Sequence, residues 1–170
     1  MKRLLLLAIP VFLVALAGQA QRYAIVDTKY ILEKLTDYKE AQQKLDQFSE
    51  QWQKEIDEKQ GSLDRMYKDY EAEQVMLSSE LKKKREDELF VREKEVRDLQ
   101  RKRFGFEGDL FKRRQELVKP VQDRVYNAIQ KIAVARLYDF ILDKSEGITV
   151  IFADPKLDKS EDVLKELGVK

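Results

Sequence analysis

The residues of this chain that could do chemistry are lysines, arginines, carboxylates and aromatic rings, and their spacing does not group them into a catalytic site. The sequence contains no histidine, the side chain that most often serves as acid, base or metal ligand near neutral pH. It also contains no cysteine, which excludes disulfides, thiolate metal sites and a lipid anchor on an N-terminal cysteine. Its few glycines form no phosphate-binding loop. We therefore expect no enzyme activity, no metal and no cofactor.

The positive charges are concentrated in one half of the middle of the chain. Residues 33–81 hold 7 basic and 13 acidic side chains, whereas residues 82–119 hold 14 basic and 9 acidic ones. Two facing helices of opposite charge would explain this asymmetry without any partner. Alternatively, the basic half meets anionic partners, such as lipid headgroups or acidic protein segments. The candidate contact residues for a client or a membrane are Lys82, Lys83, Lys84, Arg85, Phe90, Arg101, Lys102 and Arg103.

Aromatic side chains recur along the same stretch at helical spacing. Such a pattern indicates packing between helices more often than a binding surface. Rings that instead face the inside of an assembly would give a loose apolar lining suited to unfolded chains. The aromatic residues are Phe48, Trp52, Tyr67, Tyr70, Phe90, Phe104, Phe106 and Phe111.

Residues 38–137 predict a long helical arm that leaves and returns between two β-like segments, residues 23–26 and 138–142. The turn at its tip is expected near residues 77–80, where Ser78 or Ser79 can cap the returning helix. A heptad pattern runs along the outgoing helix, but Ser49, Lys59 and Glu73 interrupt its apolar positions. A tight coiled coil needs apolar residues at both seam positions. We therefore expect helices that splay.

Several residues are expected to start, break or bend these helices. Asp37, with Glu40 three residues later, resembles a capping box at the start of the outgoing helix. Gly105 and Gly108 should break the returning helix, with Asp109 as a new N-cap. Pro120 should kink the last segment because it lacks a backbone donor. Gly105, Gly108 and Pro120 are therefore the candidate hinge residues.

The C-terminal part of the sequence predicts a strand, a turn, a second strand and a short helix. The strands are expected at residues 138–142 and 148–152, and the helix at about residues 160–167, with a cap at Asp158 or Ser160. Together with residues 23–26 this gives three short strands, which is the lower limit for independent stability. Residues 21–37 and 138–170 are therefore expected to form a β-rich body that assembles with further copies.

The N-terminus has the features of a secretory signal peptide. A basic start, an apolar run and small residues near position 20 predict cleavage that removes residues 1–20. The apolar run is about 14 residues, short for a bilayer-spanning helix of about 20. We therefore expect a periplasmic protein, and its compartment argues against nucleic acid as a partner.

Taken together, these segments resemble the OmpH/Skp family of periplasmic chaperones over nearly the whole chain after residue 20. The resemblance rests on short motifs in a fixed order around the charged arm. Residues 104–111 look like the version found in Bacteroidetes-type members. The matching motifs are residues 23–28, 31–32, 38–41, 119–121, 128–133, 138–143 and 162–167.

The resemblance implies an α+β fold, in which a long antiparallel coiled-coil-like helical tentacle projects from a small β-rich oligomerisation body. It further implies a homotrimer whose three tentacles enclose a cavity. Such a protein would hold unfolded outer-membrane proteins without ATP. Anionic lipid or lipopolysaccharide is a further candidate partner because of the basic residues of the arm, and no lipopolysaccharide site is carried over from the resemblance. The alternative function is a structural or adaptor coiled-coil protein of the cell envelope.

Overall fold

The computed structural model describes residues 21–147 and 150–169, so the expected signal peptide lies outside the described residues. The chain is mostly helical with a small two-stranded sheet. It divides into two compact units. The first, which we call the sheet unit, comprises residues 21–31 and 125–169. The second, which we call the helical unit, comprises residues 32–124.

The sheet pairs a strand near the start of the described chain with a strand from its C-terminal part. Strand β1 (Tyr23–Val26) pairs in parallel with strand β2 (Phe140–Asp143), and Tyr23 lies opposite Phe140. Three of the four β1 residues are buried, as expected for a short apolar strand covered on both faces. Both strands occur where the sequence predicts them, although β2 begins two residues later than expected.

The third predicted strand is wrong in the part that can be described. Ile148 and Thr149 lie outside the described residues, but Val150, Ile151 and Phe152 have no strand structure. The apolar run of this segment predicts a buried strand, yet Ile151 and Phe152 are exposed. In the described part of the chain, the other neighbour of β1 is Asp158, which forms an isolated parallel bridge with Ile25.

Helices account for most of the chain. Their bounds are α1 (Thr28–Lys34), α2 (Thr36–Glu73), α3 (Ser79–Phe104), α4 (Asp109–Leu117), α5 (Lys119–Ala135) and α6 (Ser160–Glu166). A short 3₁₀ turn covers Pro155–Leu157. With 38 residues, α2 is about 57 Å long at the usual helical rise.

Helices α2 and α3 form an antiparallel hairpin inside the helical unit. Tyr70 of α2 contacts Glu86 near the turn, and Glu55 contacts Arg103 further away from it. Two buried clusters lie in this unit. Nearer the turn, α2 packs against α3 through Ile56, Leu63, Leu89 and Val96. Further from it, Ala41 and Leu45 of α2 pack against Val118, the residue after α4.

The ends of these helices differ from expectation at two places. The capping box at Asp37 and Glu40 is wrong: α2 begins at Thr36, and its N-cap is Leu35, which makes no side-chain cap. Leu35 is buried and is the single residue between α1 and α2. Asp37 falls in the first helical turn and pairs with Arg124 at 2.8 Å.

The second difference lies at the break in the returning helix. The break occurs as predicted, since α3 ends at Phe104 and α4 begins at Asp109. The predicted cap is wrong, because Gly108 occupies the N-cap position and Asp109 is the first helical residue. The Asp109 carboxylate bonds to Arg103 instead, at 2.7 Å.

Pro120 lies in the first turn of α5 rather than inside a continuous helix. A proline is tolerated at this position because the first backbone donors of a helix have no helical partner. Helix α4 ends at Leu117, and Val118 separates it from α5. The helix is therefore interrupted at Val118, two residues before Pro120.

The caps of the sheet unit form a network of short polar contacts. Asp27 caps α1 by accepting a hydrogen bond from the Tyr30 amide. At α6 the predicted cap at Asp158 or Ser160 is wrong, because Lys159 occupies the N-cap position and makes no side-chain cap. Asp158 accepts a hydrogen bond from the Ser160 amide, at 2.9 Å, from one residue further out. The Ser160 hydroxyl does not cap the helix; it accepts a hydrogen bond from the Asp27 amide.

Candidate binding surface

The predicted basic run occupies the start of α3, directly after the turn of the hairpin. Ser78 accepts a hydrogen bond from the Leu81 amide and caps the helix. Lys83 and Lys84 are exposed and Lys82 is half-buried, while Arg85 lies near Glu88 at 3.3 Å and Glu73 at 3.9 Å. Positive charges near a helix N-terminus are not stabilised by the helix dipole. The run is therefore not explained by helix stability.

Apolar side chains lie exposed beside this basic run. Val75 and Met76, in the turn of the hairpin, are 82% and 83% exposed. Leu81, in the first turn of α3, is half exposed. We call residues 75–85 the tip surface. It combines exposed apolar groups with exposed lysines, a combination that suits contact with mixed apolar and anionic partners.

A second exposed apolar pair lies further along α3. Phe90 is 61% exposed and Val91 is 53% exposed, whereas their neighbour Leu89 is buried against α2. The helix therefore carries apolar groups on its outer side as well as in its core. An open groove beside Val91 is lined by charged side chains of both signs, including Lys84 and Glu88.

Hydrogen bonds between the two helices hold the tip surface in place. The Tyr70 hydroxyl donates to the Glu86 carboxylate at 2.6 Å. This hydrogen bond, followed by partial burial, raises the pKa of Tyr70 above its ordinary value. The phenol therefore stays protonated and keeps donating across the physiological pH range.

The second basic run, residues 101–103, divides into two kinds of residue. Arg101 and Lys102 are exposed, as a contact role requires. Arg103 instead points inward, with a side chain that is only 21% exposed. It donates to Asp109 and to Glu55, and these contacts raise its pKa, with the Asp109 hydrogen bond as the largest cause. Arg103 is therefore left out of the contact surface that we propose below.

Sequence reasoning missed Val75, Met76 and Val91 as parts of the exposed surface. Each lies off the heptad positions of the hairpin, and that spacing is the signal that could have found them. It also missed that Trp52 packs against Arg103, whose guanidinium carbon lies 5.0 Å from the ring centroid.

The described residues hold no cluster of three or more potential metal ligands. Among the same residues, no helix is both long and apolar enough to cross a membrane.

A charged helical hairpin and a small sheet occur here in a chain that matches a known protein family. A model of the OmpH-like outer membrane protein family matches residues 22–167. The chain belongs to this family. The match confirms the resemblance drawn from the motifs, and because the OmpH-like family is not enzymatic, the chain is not an enzyme.

Comparison with solved structures supports the OmpH-like fold. One similar structure is that of a candidate outer membrane chaperone (OmpH-like) from Caulobacter crescentus, with 16% sequence identity and a TM-score of 0.66. The alignment covers 89% of this chain and 86% of that chain. A comparison with curated proteins finds no match.

Proposed function

We propose that this OmpH-like protein is an ATP-independent holdase chaperone of the periplasm that binds unfolded outer-membrane proteins. The observation that carries the proposal is the exposed apolar and basic surface of the helical hairpin, on a chain of the OmpH-like family. A similar fold occurs in a candidate outer membrane chaperone. A holdase needs many weak contacts instead of one deep pocket, and exposed single apolar groups among charges provide them.

We further propose that the protein acts as a homotrimer in which three hairpins surround the client. The sheet unit supports self-association because it leaves large apolar side chains exposed beside a two-stranded sheet. Three linked hairpins would hold a client by avidity, so each contact can stay weak and reversible. The exposed apolar residues of this unit include Tyr23, Val134, Leu137, Phe140, Ile151 and Phe152.

The proposed client contacts are the tip surface, the pair Phe90 and Val91, and the exposed cations Arg101 and Lys102. Unfolded outer-membrane proteins expose apolar segments that alternate with polar ones. Such segments can contact Phe90 and Val91 while their charges remain near the lysines and carboxylates of α3.

The proposal is tested by diluting a urea-unfolded outer-membrane β-barrel into buffer without ATP and following light scattering. We expect the protein to suppress aggregation at a ratio of one trimer to one client. Replacing Phe90 and Val91 by serine should require several-fold more protein for the same effect. A matched control replaces Lys68 and Glu71 by serine, since both are exposed on α2 of the same hairpin and their joint removal leaves the net charge unchanged.

The outcomes separate the function from its proposed site. Absence of any suppression by the unmodified protein would overturn the holdase function. Equal suppression by the Phe90/Val91 variant and the control would remove these two residues from the client surface.

Charge reversal at the tip separates client binding from lipid binding. With glutamate at residues 82–85, binding to anionic lipid or lipopolysaccharide should be lost, whereas suppression of aggregation should only weaken. If neither activity changes, the basic run is a solvated surface and takes no part in binding.

A further inference from the structure

The break in the returning helix is crossed by a half-buried ion cluster that the proposed function does not use. We propose that Arg103, Glu55, Asp109 and Trp52 form a latch that locks the helical unit in a bent conformation at residues 105–108. In this view the two glycines do not form a free hinge, and the bend moves only when the latch opens.

The latch connects three helices through one guanidinium group. Arg103, near the end of α3, donates from Nη2 to Glu55 Oε2 of α2 at 2.9 Å. Its Nη1 donates to Asp109 Oδ2, at the start of α4, at 2.7 Å. The two ends of the guanidinium fork therefore hold different helices, which a lysine could not do with the same geometry.

An aromatic face completes the latch. The Arg103 guanidinium lies over the Trp52 ring, and the Phe104 and Trp52 rings are nearly perpendicular with centroids 6.5 Å apart. Trp52 is buried, so this cation–π contact is screened less by water than one on the surface. The remaining guanidinium donor, Nε, is buried and has no acceptor among the described residues. The two carboxylates are therefore the groups that stabilise the buried charge.

The backbone at the break is also closely packed. The Gly105 amide donates to the Arg101 carbonyl, and the Gly108 amide donates to the Gly105 carbonyl, at 2.8 and 2.9 Å. A Cβ atom on Gly105 would lie 2.3 Å from the Arg101 carbonyl oxygen. Both glycines have negative φ values, so they are needed here for close backbone approach and not for a left-handed conformation.

A half-buried ion pair of this kind stabilises the fold only while both the cation and the carboxylate are present. The side chains of Arg103 and Asp109 are 21% and 24% exposed, so solvent screens them less than it screens the other ion pairs of α3. Removing Arg103 leaves two carboxylates facing each other without a cation, and removing Asp109 leaves half of the fork unpaired. Either change should free the segment between α3 and α4 while leaving the rest of the hairpin packed.

Hydrogen exchange followed by mass spectrometry on the purified protein tests the latch. In Arg103→Met we expect the amides of residues 105–112 to exchange about ten-fold faster or more, as loss of a charged hydrogen bond implies. Arg103→Lys should show a similar increase. In the control Lys102→Met, which replaces an adjacent exposed cation, exchange should not change. The amides around the cluster of Ile56 and Leu89 should keep their rates in all variants.

Two results would overturn the latch. The first is equal exchange at residues 105–112 in Arg103→Met and in Lys102→Met. The second is a uniform rise over the whole hairpin, which would make Arg103 an ordinary packing residue. If Arg103→Met does not fold, Asp109→Asn decides between the same outcomes. No client enters this experiment, so its result is independent of the holdase assay.

Discussion

At the scale of single residues, Asp143 at the end of β2 connects the first helix to the sheet. Its carboxylate accepts hydrogen bonds from the Thr28 hydroxyl, the Thr28 amide and the Ser145 amide. Burial by itself would raise the pKa of Asp143, but these hydrogen bonds outweigh it and hold the pKa below the ordinary value. The carboxylate therefore stays ionised and keeps all three donors at neutral pH.

Asp143→Asn should lower the free energy of unfolding of the sheet unit by about 1–2 kcal/mol at pH 7, since charge-assisted hydrogen bonds are lost at a partly exposed site. Because the folded pKa is depressed, the contribution of Asp143 is present above the unfolded pKa of about 4 and is lost as the pH falls through the folded pKa. Urea unfolding at pH 7 and in strong acid measures both effects.

The control for this prediction is Asp123→Asn. Asp123 is exposed, and its ion pair among the described residues is with Lys119, one turn away on α5, so its replacement should change stability little. A gap between Asp143→Asn and the unmodified protein that is as large in strong acid as at pH 7 would contradict the role given to the ionised carboxylate.

At the scale of elements, two glycines of the hairpin should respond to alanine in opposite ways. Gly61 lies inside α2, and an added Cβ would meet only the far end of Arg65, at 4.0 Å. Gly61→Ala should therefore stabilise the helix by about 0.5–1 kcal/mol. Gly105→Ala should destabilise the protein, because the added Cβ would clash with the Arg101 carbonyl at the end of α3. Thermal unfolding followed by circular dichroism measures both changes.

Each of these glycine variants is the control for the other, since both replace a hydrogen atom by a methyl group in the same helical unit. If Gly105→Ala were as stable as Gly61→Ala, the close approach at the break would be absent and the segment would be a free hinge.

The sequence predicted most elements of the fold because the signals are local. Apolar periodicity, Ser78 as a cap and the pair Gly105 and Gly108 each act within a few residues. The failures lie where a distant partner decides. Asp109 was expected to cap α4, but its carboxylate accepts a hydrogen bond from Arg103 instead. Arg103 in turn also binds Glu55, which lies 48 residues earlier in the sequence. The register between two helices cannot be read from one sequence.

The environment of the candidate contact residues could be read from the sequence only in part. Lys83, Lys84 and Phe90 are exposed, as a contact role requires, and that role stays a prediction. Whether a particular cation of a run points outward depends on what packs beside it. That is why Arg101 and Arg103, two residues apart, have opposite environments.

At the scale of the whole molecule, Leu137 combines an unfavourable backbone with an exposed side chain. It follows α5 with φ of 55° and is 71% exposed. The Tyr138 amide bonds back to the Ala133 carbonyl, a helix ending in which glycine is the usual residue at the left-handed position. A leucine costs about 1–2 kcal/mol in this conformation. In the proposed assembly, this leucine would be buried against another copy.

Leu137→Gly should therefore weaken self-association, although it removes local strain. Burial of a leucine side chain contributes about 1.5–3 kcal/mol, so the concentration at which the assembly dissociates should rise about ten-fold or more. Sedimentation velocity over a concentration series measures this change. Leu137→Met keeps an apolar side chain and is the control. Unchanged assembly in Leu137→Gly would remove this residue from the interface.

The central claim, an assembly that holds an unfolded client, is tested most directly by the native mass of the protein mixed with a urea-unfolded outer-membrane β-barrel. Native mass spectrometry gives the number of chains and of clients in one measurement. Our account predicts three copies of this chain with one client, and three copies when the client is omitted. A single copy in both samples, or a trimer that never carries the client, would contradict it.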